Sequence, residues 1–246
     1  MGERPGVGTG PSGRDGPHAF VEDLDHPVLD VGDRHHLARV VRLRSGDPLT
    51  VSDGAGRWRP CRFGAELEPT GEITEVAPST PAVTVAFALV KGERPEWITA
   101  KLTELGVDVI RPFAAARSVV RWDPDRAVAA TERLRRVARE AAMQSRRCRL
   151  PEVHPPATFA EVAGLPSAVR AERGGPPLGL DRPTVLIGPE GGWAPEEAAV
   201  DLPTAGLGAL VLRADTAAMC AAALLGAARA GLRPALPGPP PDTLGG

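Results

Sequence analysis

Val185-Leu-Ile-Gly-Pro-Glu-Gly-Gly-Trp193, followed a short way on by Leu207-Gly-Ala-Leu-Val-Leu-Arg-Ala-Asp-Thr-Ala217, decides how this chain is read. Each stretch is a short apolar strand running into a loop, and each loop leads into a helix-forming sequence. In the first loop Gly188, Gly191 and Gly192 carry no Cβ, so main-chain amides and carbonyls stand open to a flat heterocycle, and Pro189 stiffens the turn between them. Taken alone, Gly-Pro-Glu-Gly-Gly reads equally well as a plain strand-to-helix turn. Two such loops close together in sequence can build one ligand pocket, suited better to a purine-bearing cofactor than to a metal. A side chain at Gly191 is expected to fill the space that ligand needs.

Around these loops the sequence alternates strands and helices. Residues 83–90 form a nearly continuous apolar run, 96–105 a helix ended by Gly106, 107–112 a strand, and 125–145 a long helix. Residues 184–187 and 209–212 read as further strands, and 215–230 as an alanine-rich helix with Asp215 or Thr216 at its N-cap. The alternation predicts an α/β fold with a parallel sheet covered on both faces. A proline-containing linker, 77–81, sets this region off from 17–76, where short alternating strands surround an Asp53-Gly-Ala-Gly56 hairpin turn and predict a small β-barrel. Ahead of the barrel, residues 33–44 put Leu37, Val40 and Val41 on one side of a helix and Arg34, His35, Arg39 and Arg42 on the other. Residues 1–16, rich in Gly, Pro and Arg, and the proline-rich 234–246 are expected to be a disordered tail and a flexible tail.

Composition narrows the function classes. The net charge of −2 argues against a protein that coats nucleic acid indiscriminately, but its distribution is uneven. Residues 111–149 hold eleven arginines against four acids, and 34–44 hold four arginines, two histidines and no acid. Both stretches can meet phosphate, and both read equally as solvated helix faces. Lys91 and Lys101 are the only lysines. No run is long and apolar enough to span a membrane and no signal core opens the chain, which predicts a cytoplasmic protein without a membrane partner. Cys61, Cys148 and Cys220 are odd in number and far apart, so neither a disulfide framework nor a zinc site is indicated, and His35-His36 point about 100° apart on a helix, which disfavours a shared metal.

In the long helix, Leu134, Val137, Ala138, Ala141 and Ala142 form the apolar stripe, which leaves Arg136, Glu140 and Gln144 on a separate face. That row is either functional or an ordinary intrahelical Arg–Glu pair beside a solvent-facing Gln. Arg146, Arg147 and Arg149 cluster just past it. Glu190 can accept from ribose hydroxyls or cap the adjoining helix, and Pro195-Glu196-Glu197 reads as an ordinary helix start.

Taken together, the two loops, Lys91-Gly-Glu-Arg94, Lys101-Leu-Thr-Glu-Leu-Gly-Val107, Ala116-Arg-Ser-Val-Val120 and Arg139-Glu-Ala-Ala-Met-Gln-Ser-Arg-Arg147 resemble the SPOUT class of RNA methyltransferases, and within it the RsmE family, which methylates N3 of a uridine in 16S ribosomal RNA. The resemblance runs from about His18 to Ala230. It implies a SPOUT-type knotted methyltransferase domain over 80–233 and a PUA-like RNA-binding domain over 17–76. S-adenosyl-L-methionine as cofactor, no metal, and a homodimer acting on 16S ribosomal RNA in the assembled small subunit follow from the same resemblance. Arg117, Glu140, Gln144 and Arg213 are the expected catalytic residues, chosen as polar groups placed beside the apolar helix stripe and at strand ends. The cofactor falls to Leu186, Ile187, Gly188, Pro189, Glu190, Gly191, Gly192, Leu207, Gly208, Leu210, Leu212 and Thr216, and RNA to Arg34, His35, Arg39, Arg42, Arg44, Lys91, Arg146 and Arg147. Leu210 stands where the family usually has arginine, and Ala214-Asp215 replaces a typical Thr-Glu, departures that bear on substrate affinity or rate more than on cofactor binding. Two rival readings remain at the sequence level: a nucleotide-dependent oxidoreductase, which lacks its G-x-G-x-x-G after an early strand, and a noncatalytic RNA-binding protein, which leaves the two C-terminal loops unexplained.

Overall fold

A computed structural model describes residues 10–232; the expected tails therefore lie largely, and the C-terminal one wholly, outside the described residues. Residues 10–16, read above as part of the N-terminal tail, carry a turn in which Asp15 N–H donates to the Ser12 carbonyl at 3.3 Å. Beyond it, β1 (His18–Phe20) pairs parallel with β2 (Pro48–Ser52), and β2 pairs antiparallel with β3 (Arg57–Arg62). The other edge of β3 takes both β4 (Glu68–Pro69), at Cys61–Arg62, and β5 (Thr74–Glu75), at Arg57–Trp58. Between β1 and β2 lies α1 (Val31–His36), whose N-cap Asp30 accepts the Asp33 N–H at 2.7 Å.

Here the expected regular helix over 33–44 gives way. A π-helical turn, Leu37–Val41, follows α1 and ends on Arg42 in the left-handed region at φ 63°. The wider turn breaks the 3.6-residue period, so Leu37 stays in the core while Val40 is 66% exposed and Val41 also faces solvent. Ala19, Leu24, Leu29, Leu37, Leu49, Val51, Cys61 and Phe63 form the core of this unit, with Met143 from the later long helix packed against it.

The second unit is a sheet in the order β12-β10-β11-β6-β7-β8, with β9 also on β7, parallel throughout. Its strands are β6 (Thr84–Ala88), β7 (Val109–Ala114), β8 (Glu152–Val153), β9 (Ala157–Thr158), β10 (Ala168–Ala171), β11 (Thr184–Ile187) and β12 (Thr204–Ala205). Helices α2 (Arg94–Glu104), α3 (Pro124–Gln144), α4 (Phe159–Ala163), α5 (Pro195–Ala198) and α6 (Ala214–Arg229) cover it. Alternation along the strands supplies two cores: Val185 and Ile187 join Phe87, Ile98, Leu102 and Leu225 on one face, while Leu186 joins Ala86, Phe113 and Val162 on the other. The α/β class, the parallel sheet and the preceding β unit are as the sequence predicts.

Two local expectations are corrected. Residues 209–212 form no strand; they are a loop that leaves Leu210 and Val211 about four-fifths exposed, and the adjacent edge strand is β12 instead. Gly206 and Gly208 follow the end of that strand, and Gly208 sits at φ 146°, which turns the chain out of the sheet before apolar residues 209–212 can pair. The N-cap of α6 is Arg213, not Asp215 or Thr216. Asp215 is the second residue of the helix, in its first turn, where its carboxylate complements the helix dipole and accepts the Thr216 N–H at 2.8 Å.

The two units are tied through α3 and the residues after it. Arg139 pairs with Asp33 at 2.5 Å and Asp30 at 3.3 Å and lies 5.5 Å from the Phe20 ring centroid. Past the helix, Gly56 N–H donates to the Cys148 carbonyl at 3.1 Å and Leu150 N–H to the Gly54 carbonyl at 2.9 Å, so residues 148–150 pair onto the hairpin turn of the N-terminal unit.

Candidate functional site

The carboxyl ends of β10 and β11 open into a cleft of about 250 Å³. One wall is the first glycine loop, with Ile187, Gly188, Pro189, Glu190 and Gly192; the other is the second loop, with Leu207, Gly208, Leu210 and Leu212. Both loops read from the sequence therefore meet in one place. A Cβ built on Gly208 meets nothing within 4 Å, consistent with open space beside the backbone for a flat ligand. Among the expected cofactor residues, Leu186 points into the opposite core because strand neighbours alternate faces, and neither Gly191 nor Thr216 lines the cleft. The expectation for Gly191 is corrected in direction: its Cβ would meet Arg117 Cβ at 3.5 Å, not the cleft. Glu190 neither caps a helix nor stands free, since Arg94 of the Lys91-Gly-Glu-Arg94 segment pairs with it.

Sequence reasoning missed the third side of the cleft, Ala171, Glu172 and Arg173 at the end of β10. The glycine pair at 174–175 was the available signal, without the apolar run that marked the other loops, since Arg170, Glu172 and Arg173 interrupt it. It also missed the floor. Trp193 stacks on Phe113 with ring centroids 6.3 Å apart, tilts against Phe159, and donates its Nε1–H to the Ala171 carbonyl at 3.4 Å, with the Arg170 guanidinium 5.9 Å from its ring centroid. This ties β10 to the first loop.

The expected catalytic residues are only partly brought together. Arg117 reaches the first loop, its Nη1 donating to the Gly191 carbonyl at 3.0 Å. Arg213 stands at the start of α6 beside the second loop, two-thirds exposed and 3.4 Å from Asp215. Glu140 and Gln144 are elsewhere. They lie exposed in the last turns of α3, near the sheet edge where strands begin, as shown by Arg147 just beyond them bonding the Thr103 and Val107 carbonyls ahead of β7. Within one chain the four do not form a single constellation, because α3 runs antiparallel to the strands and carries its last turns away from their carboxyl ends.

The expected RNA residues also divide. His35, Arg39, Arg42 and Arg44 are exposed along α1 and its π-helical extension, and Lys91 is exposed at the end of β6. Arg34 donates to the Gly64 carbonyl at 2.7 Å and sits 5.9 Å from the Phe63 ring centroid, and Arg146 Nε donates to the Gly16 carbonyl at 3.1 Å. Arg147 is a correction: its guanidinium is taken up by the Thr103 and Val107 carbonyls at 3.1 and 2.6 Å and by Asp108 at 3.3 Å. Burial holds its pKa down to about 10, and its side chain is only 14% exposed, turned toward the protein and not toward phosphate. Among the described residues, no group of three or more His, Cys, Asp or Glu is placed to hold a metal ion.

A parallel-sheet domain with a backbone-lined cleft at its strand ends, joined to a small β unit with an arginine-bearing exposed edge, defines the class of RNA methyltransferases that pair a catalytic domain with a PUA-type module. The family model described as an RNA methyltransferase domain matches residues 78–226, and one described as an RNA methyltransferase PUA domain matches 29–66. The chain is 35% identical to ribosomal RNA small subunit methyltransferase E of Mycobacterium bovis, covering 81% of this chain and 85% of that protein. With the Bacillus subtilis protein of the same name it shares 32% identity over 76% and 84% of the two chains. Its fold matches a crystal structure of a probable rRNA methyltransferase from Porphyromonas gingivalis at TM-score 0.73 and 25% identity, covering 88% of this chain and 100% of that one. It also matches the Neisseria gonorrhoeae ribosomal RNA small subunit methyltransferase E bound to S-adenosyl methionine, at TM-score 0.70 and 25% identity over 84% and 95%. The chain belongs to the ribosomal RNA small subunit methyltransferase E family.

Proposed function

We propose that this protein transfers a methyl group from S-adenosyl-L-methionine to N3 of a uridine in 16S ribosomal RNA, acting in the cytoplasm as a homodimer on the assembled small subunit. The observation that carries this reading is the convergence of two glycine-bearing loops on one cleft at the strand ends. Open space at Gly208 and the apolar rims Ile187 and Leu212 suit a flat purine held by backbone groups. When bound, the cofactor supplies an electrophilic methyl group. The protein's part is to hold the acceptor in line, exclude water and stabilise charge.

Uracil N3 becomes a better acceptor as its proton leaves, and the resulting negative charge spreads onto the two flanking carbonyl oxygens. In this reading Arg117, which bonds the first loop at Gly191, and Arg213, at the start of α6 beside the second loop, supply the guanidiniums that stabilise it. Glu140 and Gln144 enter this scheme from a second copy of the chain, since within one protomer they stand away from the cleft. The exposed basic edge of α1 supplies RNA affinity.

Calorimetry with S-adenosyl-L-methionine and then with NAD separates this reading from an oxidoreductase. Incubating the protein and labelled cofactor with small subunits from cells lacking it, followed by mapping of modified bases, is expected to give one methylated uridine. Cofactor binding without any transfer to ribosomal RNA would leave a noncatalytic RNA-binding protein as the better account.

A further inference from the structure

Glu197 reads from the sequence as part of an ordinary helix start, but it does more than cap α5. Only 4% exposed, it sends its two carboxylate oxygens to two different loops. Oε2 accepts the Ala194 N–H at 3.0 Å, the local bond of a helix start. Oε1 accepts the Ala116 N–H at 2.7 Å, 81 residues away in sequence and next to Arg117. Meanwhile its own carbonyl accepts from the buried Arg170 Nη1 at 3.0 Å, which anchors α5 against β10. A helix cap explains the first bond and leaves the second unexplained.

The two bonds close a ring. From Ala116 the chain runs to Arg117, whose guanidinium reaches the Gly191 carbonyl at 3.0 Å; from Gly191 it runs through Trp193 to Ala194, and Glu197 joins the ends. Arg117 is an exposed, flexible side chain, so its place beside the cleft depends on where its backbone is held. A carboxylate in this setting is an acceptor at both oxygens, which is what two facing N–H donors require.

We propose that Glu197 is a positioning residue for methyl transfer: by bonding Ala116 and Ala194 at once it fixes Arg117 relative to the loop that lines the cleft. The proposal rests on the methyltransferase reading above. In the Glu197→Gln protein the new amide presents N–H to one of the two N–H donors, so one tie is lost with almost no change of volume. The rate at saturating cofactor and RNA is expected to fall roughly ten- to a hundredfold, the range that a small misplacement of a reacting group produces. In an Arg117→Ala background the same substitution is expected to change the rate by less than about twofold, because the group it positions is already gone. Glu197→Asp keeps the charge at the helix start but is one methylene too short to span both donors, and should show the same loss, with faster hydrogen exchange at the Ala116 amide and unaltered exchange in β11.

Equal proportional losses with and without Arg117 would overturn the proposal, as would a full rate in either variant once Ala116 has lost its protection. Should Glu197→Gln not fold, the Asp variant and the Ala116 exchange rate decide. A wild-type protein that transfers no methyl to small subunits would overturn the functional reading itself, a result distinct from a full-rate Glu197 variant.

Discussion

Gly188 and Gly191 stand in one loop, yet a methyl group added to each meets different neighbours. At Gly188 it would lie 2.9 Å from two ring carbons of Trp193, inside the stack with Phe113, so the ring must move. Gly188→Ala is expected to destabilise the fold by about 1–3 kcal/mol and to weaken cofactor binding, read by urea denaturation and calorimetry. Gly191→Ala makes an ordinary contact with Arg117 and should leave stability and cofactor affinity near wild type while lowering the transfer rate; a lost affinity there would restore the cleft-filling role read from the sequence. The glycines were legible as a group because an unobstructed backbone has a compositional signature, but which of them borders the cleft depends on Arg117, whose approach no local pattern encodes. A residue invisible to pattern reading is His18, 2% exposed between Thr50 Oγ1 at 2.8 Å and Ser52 Oγ at 3.0 Å. Burial, with the nearby Arg146 charge, pushes its pKa down from 6.5 to about 4. The unfolded chain therefore takes up a proton that the folded one refuses as pH falls from about 6.5 to 4, and stability declines across that window by up to about 3 kcal/mol before levelling off. Urea midpoints measured from pH 7.5 to 4 should show this fall, and a folded His18→Gln variant should lack that part of it.

At the level of elements, long regular segments were the most legible. The stripe through Leu134, Ala138, Ala141 and Ala142 and the caps of α3 lie near where the 3.6-residue period puts them, because Asp123 accepts the Arg126 N–H at 2.9 Å and starts the helix cleanly. The π-helical turn after α1 was not legible, since the period that predicts a helix is the quantity such a turn alters. Its effect is to present Val40 and Val41 alongside Arg39 and Arg42 on one exposed edge. Reversing the charge of Arg39 and Arg42 together should weaken RNA binding and reduce the slope of log affinity against log salt by about two, with cofactor affinity unchanged. Equal loss of cofactor affinity would contradict the division of labour between the units. Arg147→Ala should behave oppositely. It removes a donor from the Val107 and Thr103 carbonyls and one of two arginines from Asp108, which keeps Arg229, so it should cost about 1–3 kcal/mol of stability and leave the salt slope of RNA binding unaltered. Charge density along residues 111–149 could not separate these two kinds of arginine, because a run of like charges carries no information about which side chains turn inward.

For the whole molecule, the class of fold was legible from alternating strands and helices, whereas the strand order was not: β6 lies between β11 and β7 although β11 comes nearly 100 residues later. Nor could periodicity tell that Glu140 and Gln144 would stand away from Arg117, since it fixes which face of α3 they occupy and not where that face ends up. If the second copy supplies them, a dimer with Arg117→Ala in one protomer and both Glu140→Ala and Gln144→Ala in the other should retain one intact composite site. Mixing two inactive proteins under exchange conditions should then recover roughly a quarter of wild-type activity, half of the molecules being mixed and each keeping one of two sites. Failure to recover activity in verified mixed dimers would remove Glu140 and Gln144 from the shared site. The pairing of residues 148–150 with the hairpin turn at 53–56 has a further consequence, for synthesis. A nascent chain grows at roughly 5–20 residues per second, so the N-terminal unit waits several seconds after its own last strand before the stretch that closes its turn leaves the ribosome. During that interval the apolar cluster of the N-terminal unit lacks Met143, and translation stalled between those points should yield a chain open to protease where the finished protein is not.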